Sequence, residues 1–133
     1  MKVIDTTVMV AFILKEPGWE KLADVIVNAV TVDMAVKECM NAIWKAFRGN
    51  KIGEESAKVK ARALLELAKS GLKIVDEIVL VERAFEIACS ENLTLYDSLF
   101  LALAESRDAT LYTLDKNQAE KAKKLGIRTK LIG

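Results

Sequence analysis

Apolar residues in this chain recur every second position, then about every 3.6, then every second again, which restricts it to a layered α/β domain. Residues 2–5 read as a short buried strand, followed by a helix over 6–14 that the breakers Pro17 and Gly18 end. A second helix is expected over 19–30, with Trp19, Leu22, Ala23, Ile26 and Val27 on one face, and a second strand over 31–33. Residues 34–47 read as a long helix with an apolar stripe (Val36, Met40, Ile43, Trp44, Phe47) and a polar one (Lys37, Asn41, Lys45, Arg48). Next come a helix over 54–69, a strand over 72–75 and helices over 78–90 and 97–104. A strand over 110–114, a helix over 116–125 and an edge strand over 127–132 complete the pattern. The segment 97–104 is apolar all round, so it is buried all round and sets Asp97 at the mouth of the core. No repeat or linker interrupts the 133 residues, which make one domain with room for a sizeable core.

Strands separated by helices run parallel with right-handed crossovers. The carboxyl ends of the first and fourth strands, carrying Asp5 and Asp115, therefore share one edge of the sheet. They are near neighbours if the strand order reverses between them, which is where such sheets hold a ligand. Taken one at a time, capping accounts for each acid. Asp5 and Asp115 directly precede helices, and Thr94-Leu95-Tyr96-Asp97 has the form of a capping box. Glu38, beside the polar stripe of its helix, reads by pattern alone as a surface glutamate. Gathered at one edge, the same acids pose a different problem. Two unit charges ~4 Å apart repel by roughly 4 kcal/mol at an effective dielectric of ~20. A counter-ion or a raised pKa must relieve that repulsion.

The chain contains no histidine, which excludes histidine general acid–base catalysis, Ser-His-Asp hydrolysis and histidine-ligated zinc. Hydrolysis is left to carboxylates and a hard, oxygen-preferring cation such as Mg²⁺ or Mn²⁺. A net charge of +1 gives no global pull toward nucleic acid. Lys116, Lys121, Lys123, Lys124, Arg128 and Lys130 do make the C-terminal end basic, as either a polyanion contact or a solvated helix face. No apolar stretch approaches the ~20 residues that span a bilayer, and Met1-Lys2-Val3-Ile4-Asp5 does not read as a signal peptide. A soluble, cytoplasmic protein without membrane association is expected. Cys39 and Cys89 fit no metal-ligand spacing and are expected as small buried apolar residues. A Cys39–Cys89 disulfide is the alternative, because the Lys- and Glu-rich composition with a single glutamine leans toward a thermophile.

With these residues assembled, the chain resembles a PIN domain over essentially its full length, in particular the VapC-type toxins of toxin–antitoxin pairs. The opening signature of that family, an apolar strand ending in Asp and then Ser or Thr, is matched by Val3-Ile4-Asp5-Thr6-Thr7. A glutamate followed three residues later by asparagine on a helix is matched by Glu38-Cys39-Met40-Asn41. The aromatic-Asp pair opening an apolar helix is Tyr96-Asp97, and the late Thr-x-Asp is Thr113-Leu114-Asp115. Gln118 departs from the pattern, standing where a larger apolar residue is expected.

The resemblance implies a three-layer α/β/α fold with a flavodoxin-like central parallel sheet of about five strands. It also implies metal-dependent hydrolysis of RNA with Asp5, Glu38, Asp97 and Asp115 as the catalytic acids. In that reading Asp5 and Asp97 hold Mg²⁺ or Mn²⁺ directly, Glu38 and Asp115 complete the shell, and Thr6, Asn41 and Thr113 orient the ligands. The implied partners are an RNA substrate, a cognate antitoxin and a second copy in a homodimer, with the aromatics Trp19, Trp44 and Phe47 available for such contacts or for the core. A housekeeping RNA-processing nuclease, or a silent binding partner, would carry the same motifs. A phosphoacceptor receiver domain needs adjacent acids where Asp5-Thr6 stands, and an Asp-x-Asp phosphatase needs an acid at Thr7.

Overall fold

Five parallel strands set the frame, in the spatial order third, second, first, fourth, fifth. In the computed structural model, which describes residues 1–133, they are β1 (Lys2–Ile4), β2 (Val30–Val32), β3 (Lys73–Val75), β4 (Thr110–Thr113) and β5 (Thr129–Leu131). Val3 pairs with Val30 on one side and Leu111 on the other. The chain therefore builds outward from β1 to β3 and then returns to lay β4 on the free side of β1. The order reverses between β1 and β4, as the placement of Asp5 and Asp115 requires.

Seven α-helices cover the two faces: α1 (Thr6–Ile13), α2 (Ala23–Ile26), α3 (Asp33–Arg48), α4 (Glu54–Glu66), α5 (Val81–Glu91), α6 (Leu95–Arg107) and α7 (Lys116–Lys124). Successive strand residues point to opposite faces. Val3, Val30, Val32 and Leu111 enter the larger core with residues of α3, α5 and α6. Ile4 enters a smaller one with Leu22, Ile26 and Ala29, against which Tyr112 packs. Helix α1 serves both, giving Met9 and Ile13 to the first and Val8 and Ala11 to the second. Helix α6 lies against β1, β2 and β4, and Ser98 through Ala104 are all buried, as a helix apolar on every side must be. The result is the three-layer α/β/α architecture.

Several local expectations need correction. The helix expected over 19–30 is a 3₁₀ turn at Trp19–Leu22 and a single turn of α2; Asn28 then turns left-handed at φ 60° and Val30 already belongs to β2. Gly18 offers no side chain to cap the start, and Val25-Ile26-Val27 is a β-branched run that resists helix. Trp19 is half-buried, packed edge-on against Phe12 at 5.8 Å. On α3 the buried residues are Met34, Ala35, Cys39 and Ile43, so the core-facing stripe is rotated from the one expected. Met40 and Phe47 are half-buried, and Trp44 is 55% exposed along an open groove against α4. The disulfide alternative fails: Cys39 is buried on α3, Cys89 is exposed on α5, and both are free thiols. Burial pushes the Cys39 thiol up to about 12.

The helix over 54–69 ends its α portion at Glu66 and closes with a π turn, Leu67–Gly71. The helix over 78–90 begins as a 3₁₀ turn, Glu77–Leu80. Part of the basic C-terminal end is taken up within the fold: Lys124 pairs with the buried Glu91 at 3.2 Å, Arg128 pairs with Asp108 at 3.2 Å, and Lys130 lies 6.0 Å above the Tyr112 ring. No helix is long and apolar enough to cross a membrane.

Candidate active site at the carboxyl ends of β1 and β4

Asp5 follows β1 and caps α1, accepting from the Val8 N–H at 3.3 Å through Oδ1. It is 3% exposed. Thr7 donates to Oδ1 at 2.5 Å and Thr113, at the end of β4, donates to Oδ2 at 2.5 Å. Both hydroxyls also accept: Thr7 from the Leu114 N–H at 2.9 Å and Thr113 from the Asp115 N–H at 3.0 Å. A hydroxyl has one hydrogen. With both directed at Asp5, the 3.5 Å contact between Thr7 and Thr113 is proximity alone. The network binds the β1–α1 junction to the β4–α7 junction through the Asp5 carboxylate and the direct Thr7–Leu114 bond. Burial lifts the Asp5 carboxyl above its ordinary value, hydrogen bonds from Thr113, Thr7 and Val8 pull against that, and the charge of Asp115 pushes it further up.

Asp97 lies in the first turn of α6 but does not cap it. The cap is Thr94, whose hydroxyl accepts from the Asp97 N–H at 3.1 Å, so the helix starts two residues before Asp97. That frees Asp97 to line a crevice of about 300 Å³ together with Thr6, Val10, Glu38, Asn41, Ala42 and Lys45. Its carboxyl is raised by burial first, then by the charges of Asp115 and Glu38, against a lowering contact from Thr94. Glu38, half-buried on α3, accepts from Thr6 Oγ1 at 2.5 Å. Asp115 caps α7, accepting from the N–H groups of Asn117 at 2.9 Å and Gln118 at 3.2 Å, both on Oδ1.

The four acids thus do belong to one region, linked pairwise. Glu38 and Asp97 share the crevice, and Asp115 acts on both Asp97 and Asp5 through its charge. As the side chains stand, no three of them are within joint reach of one metal ion. Thr6 and Thr113 hydrogen-bond the acids they were expected to orient, whereas Asn41 lines the crevice without a side-chain hydrogen bond to any of them. Three residues escaped the sequence reading of the site. Thr7 stood in the Asp-Thr-Thr run and reads there as a helix starter. Lys45, the single cation lining the crevice, stood in the polar stripe of α3 one turn beyond Asn41. Gln118 was visible only as an unexpected polar residue.

Comparison with known proteins bears on the family and the fold. The PIN domain family model matches residues 2–124. Ribonuclease VapC3 of Pyrobaculum aerophilum is 31% identical over 122 residues, 90% of this chain and 92% of that protein. The crystal structure of PAE2754 from Pyrobaculum aerophilum superposes with a TM-score of 0.70 at 23% identity, over 97% of this chain and 92% of that one. That of FitAcB from Neisseria gonorrhoeae gives 0.65 at 15% identity, over 97% and 96%. A family model spanning nearly the whole sequence, joined to a relative alike over nine-tenths of it, leaves one conclusion: the chain belongs to the PIN domain family.

Proposed function

We propose that the protein is an endoribonuclease that hydrolyses RNA phosphodiester bonds with a divalent cation, Mg²⁺ or Mn²⁺, and serves as the toxin of a toxin–antitoxin pair. The observation that carries this reading is the state of Asp97. It is a half-buried carboxylate released from capping, set in an open crevice with Glu38 and pressed by the charges of Glu38 and Asp115. Acids arranged against their own repulsion call for a cation.

The donor set fits a hard ion. It is all carboxylate oxygen, with no histidine in the chain and no thiol in the crevice. An ion here takes one or two carboxylates and keeps water in the rest of its shell, which is the habit of Mg²⁺. Asp97 and Asp5 are the ligands we assign. A carboxylate offers about four lone-pair sites. Hydrogen bonds from Thr7 and Val8 occupy Oδ1 of Asp5, while Thr113 alone reaches Oδ2, so one lone-pair site on Oδ2 carries no hydrogen bond. When bound, such a cation lowers the pKa of its water and neutralises charge on the pentacoordinate phosphorus. Thr113 fixes the direction of Asp5 Oδ2, and Thr6 holds Glu38 toward the crevice to accept hydrogen bonds from ordered water. Lys45 neutralises a backbone phosphate lying along α3 and so sets the strand relative to the acids.

The name of the relative, a ribonuclease, supports the substrate class. For the antitoxin, or a second copy, the support is the open groove of about 320 Å³ between α3 and α4, lined by Met40, Ile43, Trp44 and Phe47. The test is cleavage of a mixed-sequence single-stranded RNA in Mg²⁺, in Mn²⁺ and in chelator, comparing wild type with Asp97→Asn and Asp5→Asn. Metal-dependent cuts lost in both variants are expected. Equal cutting by all three proteins, or no cutting and no metal uptake by wild type, overturns the reading. Growth arrest on induced expression, absent for Asp97→Asn, tests the toxin assignment.

A further inference from the structure

One residue touches both Asp97 and Asp115. Gln118 is 2% exposed, and its backbone N–H donates to Asp115 Oδ1 at 3.2 Å. Its side-chain Nε2 donates to the backbone carbonyl of Asp97 at 3.0 Å, across the gap between α7 and α6. A carbonyl only accepts, so the orientation of the amide is fixed: nitrogen toward Asp97, oxygen away. Gln118 Oε1 is then buried with no hydrogen-bond partner.

A buried acceptor left alone is destabilising, a loss that an apolar side chain of similar shape avoids. Neither helix start depends on the amide. The first turn of α7 is capped by the Asp115 carboxylate, and that of α6 by the Thr94 hydroxyl. Ala119 and Ala122 already bury the inner face of α7. What the amide adds is a strut between the starts of two helices that carry like charges. It opposes the repulsion between Asp97 and Asp115 along that line.

Resting on the metal reading above, we propose that Gln118 is a positioning residue that holds Asp97, a direct ligand of one hydrated divalent cation, at its separation from Asp115, which reaches the same cation only through water. It touches neither the cation nor the substrate; it acts through the backbone of Asp97.

The test uses Mn²⁺ alone as the probe, titrated by calorimetry into wild type, Gln118→Met, Gln118→Leu and Asp97→Asn. Titrations run well below the lowest melting temperature of the four in chelator, so that every protein is folded. Both Gln118 variants are expected to melt at or above wild type, because the orphan acceptor is gone, and yet to bind Mn²⁺ about tenfold more weakly, the lower end for partners outside the ligand shell. Asp97→Asn is expected to bind none. Wild-type affinity in both Gln118 variants overturns the inference and leaves the metal reading standing. Failure of wild type itself to bind Mn²⁺ removes the metal reading and the inference with it.

Discussion

Two groups of acids sit on the same carboxyl edge of the sheet, and they are solved in opposite ways. Beyond β2 and β3, Asp33 Oδ1 accepts the Glu77 N–H at 3.1 Å while Glu77 Oε2 accepts the Met34 N–H at 2.8 Å. Each caps the element that the other begins, and Lys37 stands 3.9 Å from Glu77. Their mutual hydrogen bond splits the pair, holding Asp33 below the ordinary carboxylate value and Glu77 above it. That pair is closed: backbone donors and a lysine account for its charge. Beyond β1 and β4, Thr94 caps the helix whose first turn holds Asp97, and the charges of Asp115 and Glu38 press on an Asp97 carboxylate that no backbone donor or basic side chain answers. Acids of the same type at the same edge therefore differ by what is left over. A closed pair needs nothing further; on the proposed reading, the open group is where a cation would act.

The largest expected effect tests that contrast directly. Asp97→Asn should lower metal-dependent RNA cleavage by more than roughly 100-fold, beyond what loss of an outer partner costs. Asp33→Asn should leave the rate within about twofold, the range expected of a site that only caps. An equal loss in both, read in the same gel assay, would erase the distinction. Stability should invert the ranking. Asp33→Ala removes a cap and should cost about 1 kcal/mol, a fall of a few degrees in melting temperature by calorimetry. Asp97→Asn in chelator should melt higher than wild type, because it removes a charge that the fold disfavours.

That gain carries a pH signature. The folded pKa of Asp97 lies above its ordinary value of 3.8, so its favourable contribution is full below 3.8 and lost as pH rises through the raised folded value. Asp97→Asn keeps the contribution at every pH. The stability gap between variant and wild type should therefore close as pH falls from neutrality toward 3.8, measured by denaturant titration in chelator. A gap independent of pH would mean that Asp97 does not carry the strain. The smallest effect concerns Lys45. In chelator, Lys45→Ala should reduce the slope of log affinity for single-stranded RNA against log salt by about 0.7, one phosphate contact, read by fluorescence anisotropy. Lys73→Ala, at the opposite end of the sheet, should leave the slope unchanged.

Much of this was legible beforehand, for identifiable reasons. Asp5 and Asp115 follow apolar strands, and the connection rules for parallel sheets put their ends together once the order reverses at β1. The burial of α6 followed from a helix with no polar side between Ser98 and Ala104. Periodicity went wrong where it could not tell a core from a groove: Trp44 and Phe47 are as apolar as Ala35 and Cys39, yet only the latter two enter the core, while Met40 both packs against it and lines the groove. It also went wrong at residues 19–30, where an early strand had to begin at Val30 to pair with Val3. Glu38 was expected in the site through family resemblance alone, because a glutamate on a half-exposed helix looks like any other until Thr6 and Asp97 are placed beside it. The reach of Gln118 from α7 to α6 is a property of two segments 21 residues apart and leaves no local trace.

The double hold of Thr7 and Thr113 on Asp5 has a consequence for how such a gene decays. If the proposed activity is selected against, changes at Asp97 or Glu38 should remove it and leave the fold whole, since neither carboxylate caps a helix. A change at Asp5 also uncaps α1 and removes the acceptor on which the Thr7 and Thr113 hydroxyls converge, leaving the β1–β4 ladder and the Thr7–Leu114 bond to hold the junction. Lineages that keep a silent copy should therefore differ at Asp97 and Glu38, whereas a change at Asp5 should lower stability as well as activity.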